Sequence, residues 1–189
     1  MYLTSINGKA LHKRSTFPLY KRKKQINIVV TNKKIKIMTT KERLDFFNKC
    51  LDLNFAKFED IDWNDINLYY NNPLSLGFLS EFANELNWSH VAKYTYIPQE
   101  KVMRFKYFMD WNAYIQHTFI FVDTLIEIVT KIDNVDWNII SRYAYLNKHF
   151  IKLYYNKLNI NLMKENERVE KSDIIFLQDL LLQEKELQH

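Results

Sequence analysis

Cysteine, glycine and proline are scarce in this chain of 189 residues, with one cysteine, two glycines and three prolines. The lone Cys50 cannot form a disulfide within the chain, which fits a reducing compartment. No histidine stands near it in the sequence, so a buried helical thiol is expected rather than a nucleophile. So few chain-breaking residues argue against an all-β protein built on tight turns and favour helices joined by short polar connections.

Long apolar runs are also missing. No stretch approaches the length of a membrane span, and the N-terminal residues contain no hydrophobic signal core. These absences predict a protein that is neither secreted nor transmembrane, located inside the cell or inside a virion, with no membrane partner.

The residue patterns of enzymes and metal sites are absent as well. The five histidines are scattered without ligand spacing, and Gly8 and Gly77 alone cannot build a phosphate-binding loop. Carboxylate pairs such as Asp123 and Glu127 are more typical of a solvated helix face than of an acid/base pair. We therefore expect no catalytic residue, no metal and no cofactor.

Acidic residues are absent from residues 1–37, which contain ten Lys or Arg. The rest of the chain carries 17 basic and 22 acidic residues, a net charge of −5. Residues 1–37 are therefore predicted to be a basic leader, and residues 26–37 are compatible with a short β-hairpin. The candidate residues for binding an anionic partner are Lys13, Arg14, Lys21, Arg22, Lys23, Lys24, Lys33, Lys34 and Lys36. Two interpretations stay open: an arm that neutralises phosphates or docks on an acidic surface, and a solvated extension without a ligand.

A repeated motif organises the remainder. The four tryptophans, Trp63, Trp88, Trp111 and Trp137, are separated by 25, 23 and 26 residues, and each follows Asp or Asn. A degenerate fifth copy begins at Asn159. An apolar or aromatic residue follows three positions later in every copy. A fixed period of this length indicates tandem repeats. We predict that the Asp or Asn caps a short helix, that the tryptophan opens it, and that the tryptophan and the residue three later both enter the core. The four tryptophans are thus predicted structural anchors of the repeats.

A second helix is predicted in each copy from a recurring apolar stripe. Counted from the tryptophan, the stripe falls at positions +9, +13, +14, +17 and +21. The copy of Trp137 fits these positions without an insertion, and the copy of Trp63 fits them with two extra linker residues. The copy of Trp111 is aligned with one extra linker residue, which places Phe121 and Leu125 in the stripe. The predicted fold is all-α: tandem helix-turn-helix repeats over about residues 60–165, a capping helix at 40–58 and a C-terminal capping helix at 172–187, together a helical domain of residues 38–189.

The motif Asp136-Trp137-Asn138-Ile139-Ile140-Ser141, followed by a helix that begins near Leu146, resembles degenerate tandem repeats in proteins of large-genome viruses and phages. Members of that group usually carry Ser-Glu after the leucine, where this chain has Asn147-Lys148. The resemblance implies a helical repeat and a viral origin, and it implies no catalytic residue.

These patterns predict a non-enzymatic module that binds or scaffolds another protein, with a virion component as one form of it. The alternative is a nucleic-acid-associated protein that uses the basic leader on phosphates.

Overall fold

The computed structural model describes residues 38–71 and 74–187. The basic leader and its possible hairpin lie outside these residues. All regular structure in the described part is helical, which confirms the prediction of an all-α stack.

Eleven α-helices are present in the described residues: α1 (Thr40–Leu51), α2 (Asn67–Tyr70), α3 (Leu76–Glu81), α4 (Trp88–Tyr94), α5 (Gln99–Val102), α6 (Trp111–His117), α7 (Val122–Lys131), α8 (Trp137–Tyr143), α9 (Lys148–Tyr154), α10 (Ile160–Lys164) and α11 (Lys171–Leu187). Short 3₁₀ turns cover Phe58–Asp60, Met103–Phe105 and Tyr155–Lys157.

Helix α1 begins as predicted but is shorter than expected. The Thr39 side chain accepts from the backbone N–H of Glu42, and the Glu42 carboxylate accepts from the backbone N–H of Thr39. This reciprocal pair satisfies two N–H groups that the first turn leaves free. The helix ends at Leu51 because Asp52 turns into the left-handed region at φ 52°, so the predicted continuation to residue 58 is wrong.

Three of the tryptophan helices are alike. Helices α4, α6 and α8 each have seven residues and begin at the tryptophan. The side chains of Asn87, Asp110 and Asp136 accept backbone N–H groups of the first turn, as an N-cap should. Asn159 caps α10 in the same way. The predicted cap-and-helix arrangement is therefore confirmed for copies 2 to 5.

The first copy departs from this pattern. Trp63 lies in a turn, and α2 begins at Asn67. The Asp65 carboxylate accepts from the backbone N–H of Asn67, so a second acidic side chain stabilises a turn just where the short helix would continue. The predicted core position Ile66 is consequently 44% exposed, and Leu68 and Tyr69 are buried instead.

The apolar stripe of the second helices is buried, with one error of register. In the copy of Trp88 the residues at +9, +14, +17 and +21 are all buried: Ile97, Val102, Phe105 and Met109. The copy of Trp111 follows the same register without an insertion, since Ile120, Leu125 and Ile128 occupy +9, +14 and +17 and are buried. Phe121, predicted in the stripe, is 63% exposed and sits at the N-cap of α7. The inserted residue proposed for this copy was wrong.

The short helices stack in chain order: α2 packs on α4, α4 on α6, α6 on α8, and α8 on α10. Helix α11 packs on α9 and α10 and thereby covers the last copy, within one residue of its predicted start. Successive copies thus bury one another's apolar faces, which a single copy is too small to do alone.

Candidate interaction surface

The predicted site residues fall into two groups, and the structure bears on only one. Lys13, Arg14, Lys21, Arg22, Lys23, Lys24, Lys33, Lys34 and Lys36 all lie outside the described residues. The tryptophans lie within them.

The tryptophans hold the copies together. Trp88 and Trp111 are buried, and their indole N–H groups donate to the carbonyl oxygens of Ala83 at 2.8 Å and Lys106 at 3.1 Å. Trp63 and Trp137 are partly buried and pack on other rings, with centroids 5.3 Å from Phe47 and 5.4 Å from Tyr154, respectively. All four indoles pack on other residues of the stack, so none of them forms a separate binding site.

A row of hydrogen bonds joins the caps of neighbouring copies. At each of the four junctions, the residue directly after the tryptophan forms a hydrogen bond with the cap residue of the next copy. The pairs are Asn64–Asn87 at 3.1 Å, Ser89–Asp110 at 2.5 Å, Asn112–Asp136 at 3.0 Å and Asn138–Asn159 at 3.4 Å. We call this row the polar ladder. It sets the register of one copy on the next, so the polar residue after each tryptophan has a structural role.

The opposite ends of the short helices carry a different recurring pattern. Copies 2, 3 and 4 read Lys-Tyr-Thr-Tyr-Ile, Gln-His-Thr-Phe-Ile and Arg-Tyr-Ala-Tyr-Leu over residues 93–97, 116–120 and 142–146. Each run covers the last turn of the short helix and the linker to the second helix. No acidic residue occurs in any of the three runs. We call residues 93–97, 116–121 and 142–146 the linker edge.

An extended backbone explains why this edge exposes aromatic rings. Thr95, Thr118 and Ala144 all have extended φ and ψ angles. Side chains of an extended chain alternate between two sides. The residue at +9 is buried in all three copies, so the residue at +8 faces outward. Tyr96 is accordingly 82% exposed and Phe119 51%, and Tyr145 is partly exposed.

Some of these rings touch one another. The Phe119 centroid lies 5.5 Å from that of Tyr145 and 5.8 Å from that of Phe121. Tyr96, Phe119, Phe121 and Tyr145 are named here the aromatic strip. The rings of Phe119, Phe121 and Tyr145 form one contiguous patch, and exposed apolar patches are typical of interaction sites on soluble proteins.

The side chain of Gln99 holds part of this strip in place. Its amide nitrogen donates to the carbonyl oxygen of Phe119 at 2.8 Å, and its amide oxygen accepts from the backbone N–H of Phe121 at 2.9 Å. The Gln99 side chain, which belongs to copy 2, thus bonds to the Phe119 carbonyl group and the Phe121 N–H group in the linker of copy 3. The rings at 119 and 121 are presented on a fixed backbone rather than on an unsupported loop.

Asn166 and Arg168 fasten the linkers of copies 3 and 4. The buried Asn166 amide donates to the carbonyl oxygens of Ser141 and Ala144 at 3.0 and 2.8 Å. Arg168 donates to the carbonyl oxygens of Thr118 and Tyr143 at 3.0 and 2.7 Å. A cation at the C-terminal ends of α6 and α8 also complements the helix dipoles.

The electrostatics of the linker edge are cationic. Partial burial, together with the positive charges of Lys93 and Arg168, lowers the pKa of His117 below its ordinary value, so the imidazole is neutral at pH 7. The Lys93 ammonium lies over the Tyr94 ring at 4.9 Å. No carboxylate of the described residues lies within ion-pair distance of Lys93. Arg142 is paired with Glu165 at 2.8 Å.

Two buried hydroxyls lie under this edge without hydrogen-bond partners among the described residues. They belong to Thr95 and Tyr114. Burial, with a smaller contribution from Tyr96, raises the pKa of Tyr114 to about 12. This phenol stays protonated under ordinary conditions and cannot serve as a base.

A shallow groove of about 280 Å³ lies beside the linker of copy 4. It is lined by Gln116, Asn138, Ile139, Arg142, Tyr143 and Leu162, which come from α6, α8 and α10. The Nε atom of Arg142 has no hydrogen-bond partner in the described part of the chain. The groove adds a small recess with a mainly apolar lining next to the linker edge.

Reactive groups do not converge anywhere in residues 38–71 and 74–187. No cluster of three or more His, Cys, Asp or Glu suited to a metal ion occurs there. Cys50 is exposed and lies in the last turn of α1, which corrects the expectation of a buried thiol. Partial desolvation raises the pKa of its thiol despite Lys49, so it is not an activated nucleophile.

None of the helices in these described ranges is long and apolar enough to cross a membrane. Comparison of the chain with protein-family models, curated proteins and solved structures finds no match.

The exposed column of aromatic residues at position +8 was not predicted from the sequence. Its signal was present, because position +8 is Tyr, Phe and Tyr in copies 2 to 4. Aligning copy 3 with one extra residue put Phe121 in the buried stripe and hid this column of aromatic residues.

Proposed function

We propose that this chain is a non-enzymatic binding or scaffold module that holds another protein against the linker edge of its helical stack. Loops on one face of a repeat stack are common binding surfaces, and copies 2, 3 and 4 each contribute one linker to this face. The viral origin implied by the repeat motif fits a structural or virion-associated role, which forms part of the proposal.

The exposed aromatic strip on a braced backbone is the observation that carries this proposal. Tyrosine and phenylalanine contribute large contact areas to protein interfaces and lose little conformational freedom on binding. Folding alone gives no reason for rings at position +8, since the residues beside them already fill the core. Gln99 and Arg168 fix the linkers of copies 3 and 4 before any partner arrives, which lowers the entropic cost of association.

The test is partner capture from native material by the full chain and by two variants. Tyr96→Ser combined with Phe119→Ser removes two rings of the strip. Tyr107→Ser is a matched control, because Tyr107 is 81% exposed but lies in the connection between α5 and α6, outside the strip.

The expected result is a protein partner that resists nuclease treatment, binds the wild type and the control, and is lost from the strip variant. If the strip variant retains the partner, the binding surface lies elsewhere on the chain. Thermal melts of all three proteins exclude loss of folding as the cause.

A second candidate function is supported by the leader. Ten basic and no acidic residues in residues 1–37 suit an arm that neutralises nucleic acid phosphates. Loss of every captured partner on nuclease treatment would favour this function over the first.

A further inference from the structure

We infer that the segment held by the linker edge is an extended, acidic peptide stretch of another protein, with apolar anchor side chains about three residues apart. This inference rests on the proposed function and adds the chemistry of the partner. Four properties of the edge lead to it.

Charge complementarity indicates an acidic segment. The three runs at 93–97, 116–120 and 142–146 contain Lys93 and Arg142 and no carboxylate. Lys93 is exposed and rests on the Tyr94 ring, with no acidic partner in the described residues. Among residues 38–71 and 74–187, the only carboxylate in an ion pair with this edge is that of Glu165, whose pair with Arg142 is largely open to solvent. Exposed pairs of this kind contribute little, so an incoming carboxylate can replace Glu165 with small loss.

The small size of this charge favours a peptide over nucleic acid. Nucleic acid binding gains its affinity from many neutralised phosphates. Here His117 is neutral at pH 7, and Arg168 is already engaged by two carbonyl groups. One exposed lysine and one exchangeable arginine suit one or two carboxylates.

Contacts between the rings point the same way. Successive bases of a single strand stack on separate aromatic side chains. Phe119 already touches Tyr145 and Phe121, so no base fits between them. A patch of touching rings can bind an aliphatic or aromatic side chain of a partner that packs on its surface. Such a side chain is the anchor residue of a protein interface.

The geometry of the stack sets the spacing of the anchors. Packed helices lie about 8–10 Å apart, and α4, α6 and α8 pack in succession. A segment in the extended polyproline II conformation advances about 3.1 Å per residue and brings every third side chain back to the same side. Anchors on neighbouring linkers are therefore about three residues apart, with acidic residues between them facing Lys93 and Arg142.

The test uses the full chain and three labelled probes in a fluorescence anisotropy titration. The first probe is a twelve-residue peptide with leucine at every third position and glutamate between. The second replaces each glutamate by lysine, and the third is a twelve-nucleotide oligo-dT. The expected result is binding of the glutamate peptide at least about tenfold tighter than of the lysine peptide.

The matched variants are Lys93→Glu and Lys106→Glu. Both lysines rest on a tyrosine ring, Lys93 on Tyr94 at 4.9 Å and Lys106 on Tyr107 at 4.6 Å, and only Lys93 belongs to the linker edge. We expect Lys93→Glu to lower the affinity for the glutamate peptide about tenfold. The affinity of Lys106→Glu for this peptide should stay within about twofold of that of the wild type.

Three outcomes would overturn the inference. One is equal binding of the two peptides, and another is oligo-dT binding that the strip variant Tyr96→Ser/Phe119→Ser abolishes. The third is no peptide binding at all while that variant still loses its captured partner, in which case the proposed function stands and the chemistry of the partner is different. If the strip variant keeps its partner, the proposed function fails as well.

Discussion

The hydroxyl oxygen of Ser141 accepts a hydrogen bond from the backbone N–H of Asn159 at 2.9 Å and donates one to the carbonyl oxygen of Trp137 at 2.7 Å. Ser141 is fully buried, and Asn159 is the cap of the next copy. The serine that closes the Asp-Trp-x-x-Ile-Ser motif thus ties one copy to the following cap. This contact accounts for the last residue of the motif by structure alone.

Replacing Ser141 by alanine should lower the free energy of unfolding by about 1–3 kcal/mol, because the fully buried Ser141 side chain makes two hydrogen bonds, with the N–H of Asn159 and the carbonyl oxygen of Trp137, and both are lost. Chemical denaturation measures this directly. Ser89→Ala is the comparison, since Ser89 also bonds a cap residue, Asp110, but is exposed to water. A loss for Ser141→Ala no larger than that for Ser89→Ala would contradict the role given to the buried contact.

Trp111→Ala should destabilise the chain by about 3–5 kcal/mol, the usual range for removing a buried large aromatic side chain. The substitution also leaves the Lys106 carbonyl without the indole N–H. Trp137→Ala should be milder, because Trp137 is only partly buried. Thermal melts rank the two variants, and equal stability of Trp111→Ala and wild type would refute the assignment of the tryptophans as anchors.

Tyr114→Phe should leave stability at pH 7 within about 1 kcal/mol of wild type, because the phenol has no hydrogen-bond partner to lose. The difference appears at high pH. The pKa of Tyr114 is about 12 in the folded chain and about 10 when exposed, so the unfolded chain loses this proton first. Wild-type stability should therefore fall by roughly 2–3 kcal/mol as pH rises from 10 to 12.

Denaturant titrations of both proteins between pH 8 and pH 12 check this. The Phe variant should lose less stability, although Tyr69, whose pKa burial also raises, contributes to the loss in both proteins. Parallel curves for the two proteins would show that Tyr114 does not titrate as described.

Deleting residues 1–37 tests the basic arm. If the leader binds phosphates, the full chain should bind duplex DNA with an affinity that falls steeply with salt, and the truncated chain should lose that binding. Electrophoretic mobility shifts over a salt series measure both proteins. Unchanged DNA binding after truncation, or no binding by the full chain, would eliminate the arm as a nucleic acid site.

Local signals in the sequence were sufficient to predict most of the fold. The caps Asn87, Asp110 and Asp136 could be predicted because a short polar side chain before an apolar run satisfies free N–H groups wherever it occurs. Trp63 has the same local signal and still lies in a turn, because Asp65 competes for the backbone two residues later. The outcome of that competition depends on packing, which residue types alone do not specify.

The linker edge was harder to predict because it depends on a register. Assigning Phe121 or Ile120 to the core of copy 3 differs by one residue, and both are apolar. The structure decides for Ile120, and only then does Phe119 align with Tyr96 and Tyr145. The long-range contacts of Arg168 with Thr118 and Tyr143 carry no local signal, since they join residues 50 and 25 positions apart.

Amide hydrogen exchange of the full chain, with and without its captured protein partner, tests most directly whether the linker edge is the binding surface. Partner binding should slow exchange in residues 93–97, 116–121 and 142–146 and leave residues 171–187 unchanged. Slowed exchange confined to α11, or to the caps of the polar ladder, with no change at the linkers, would contradict the account.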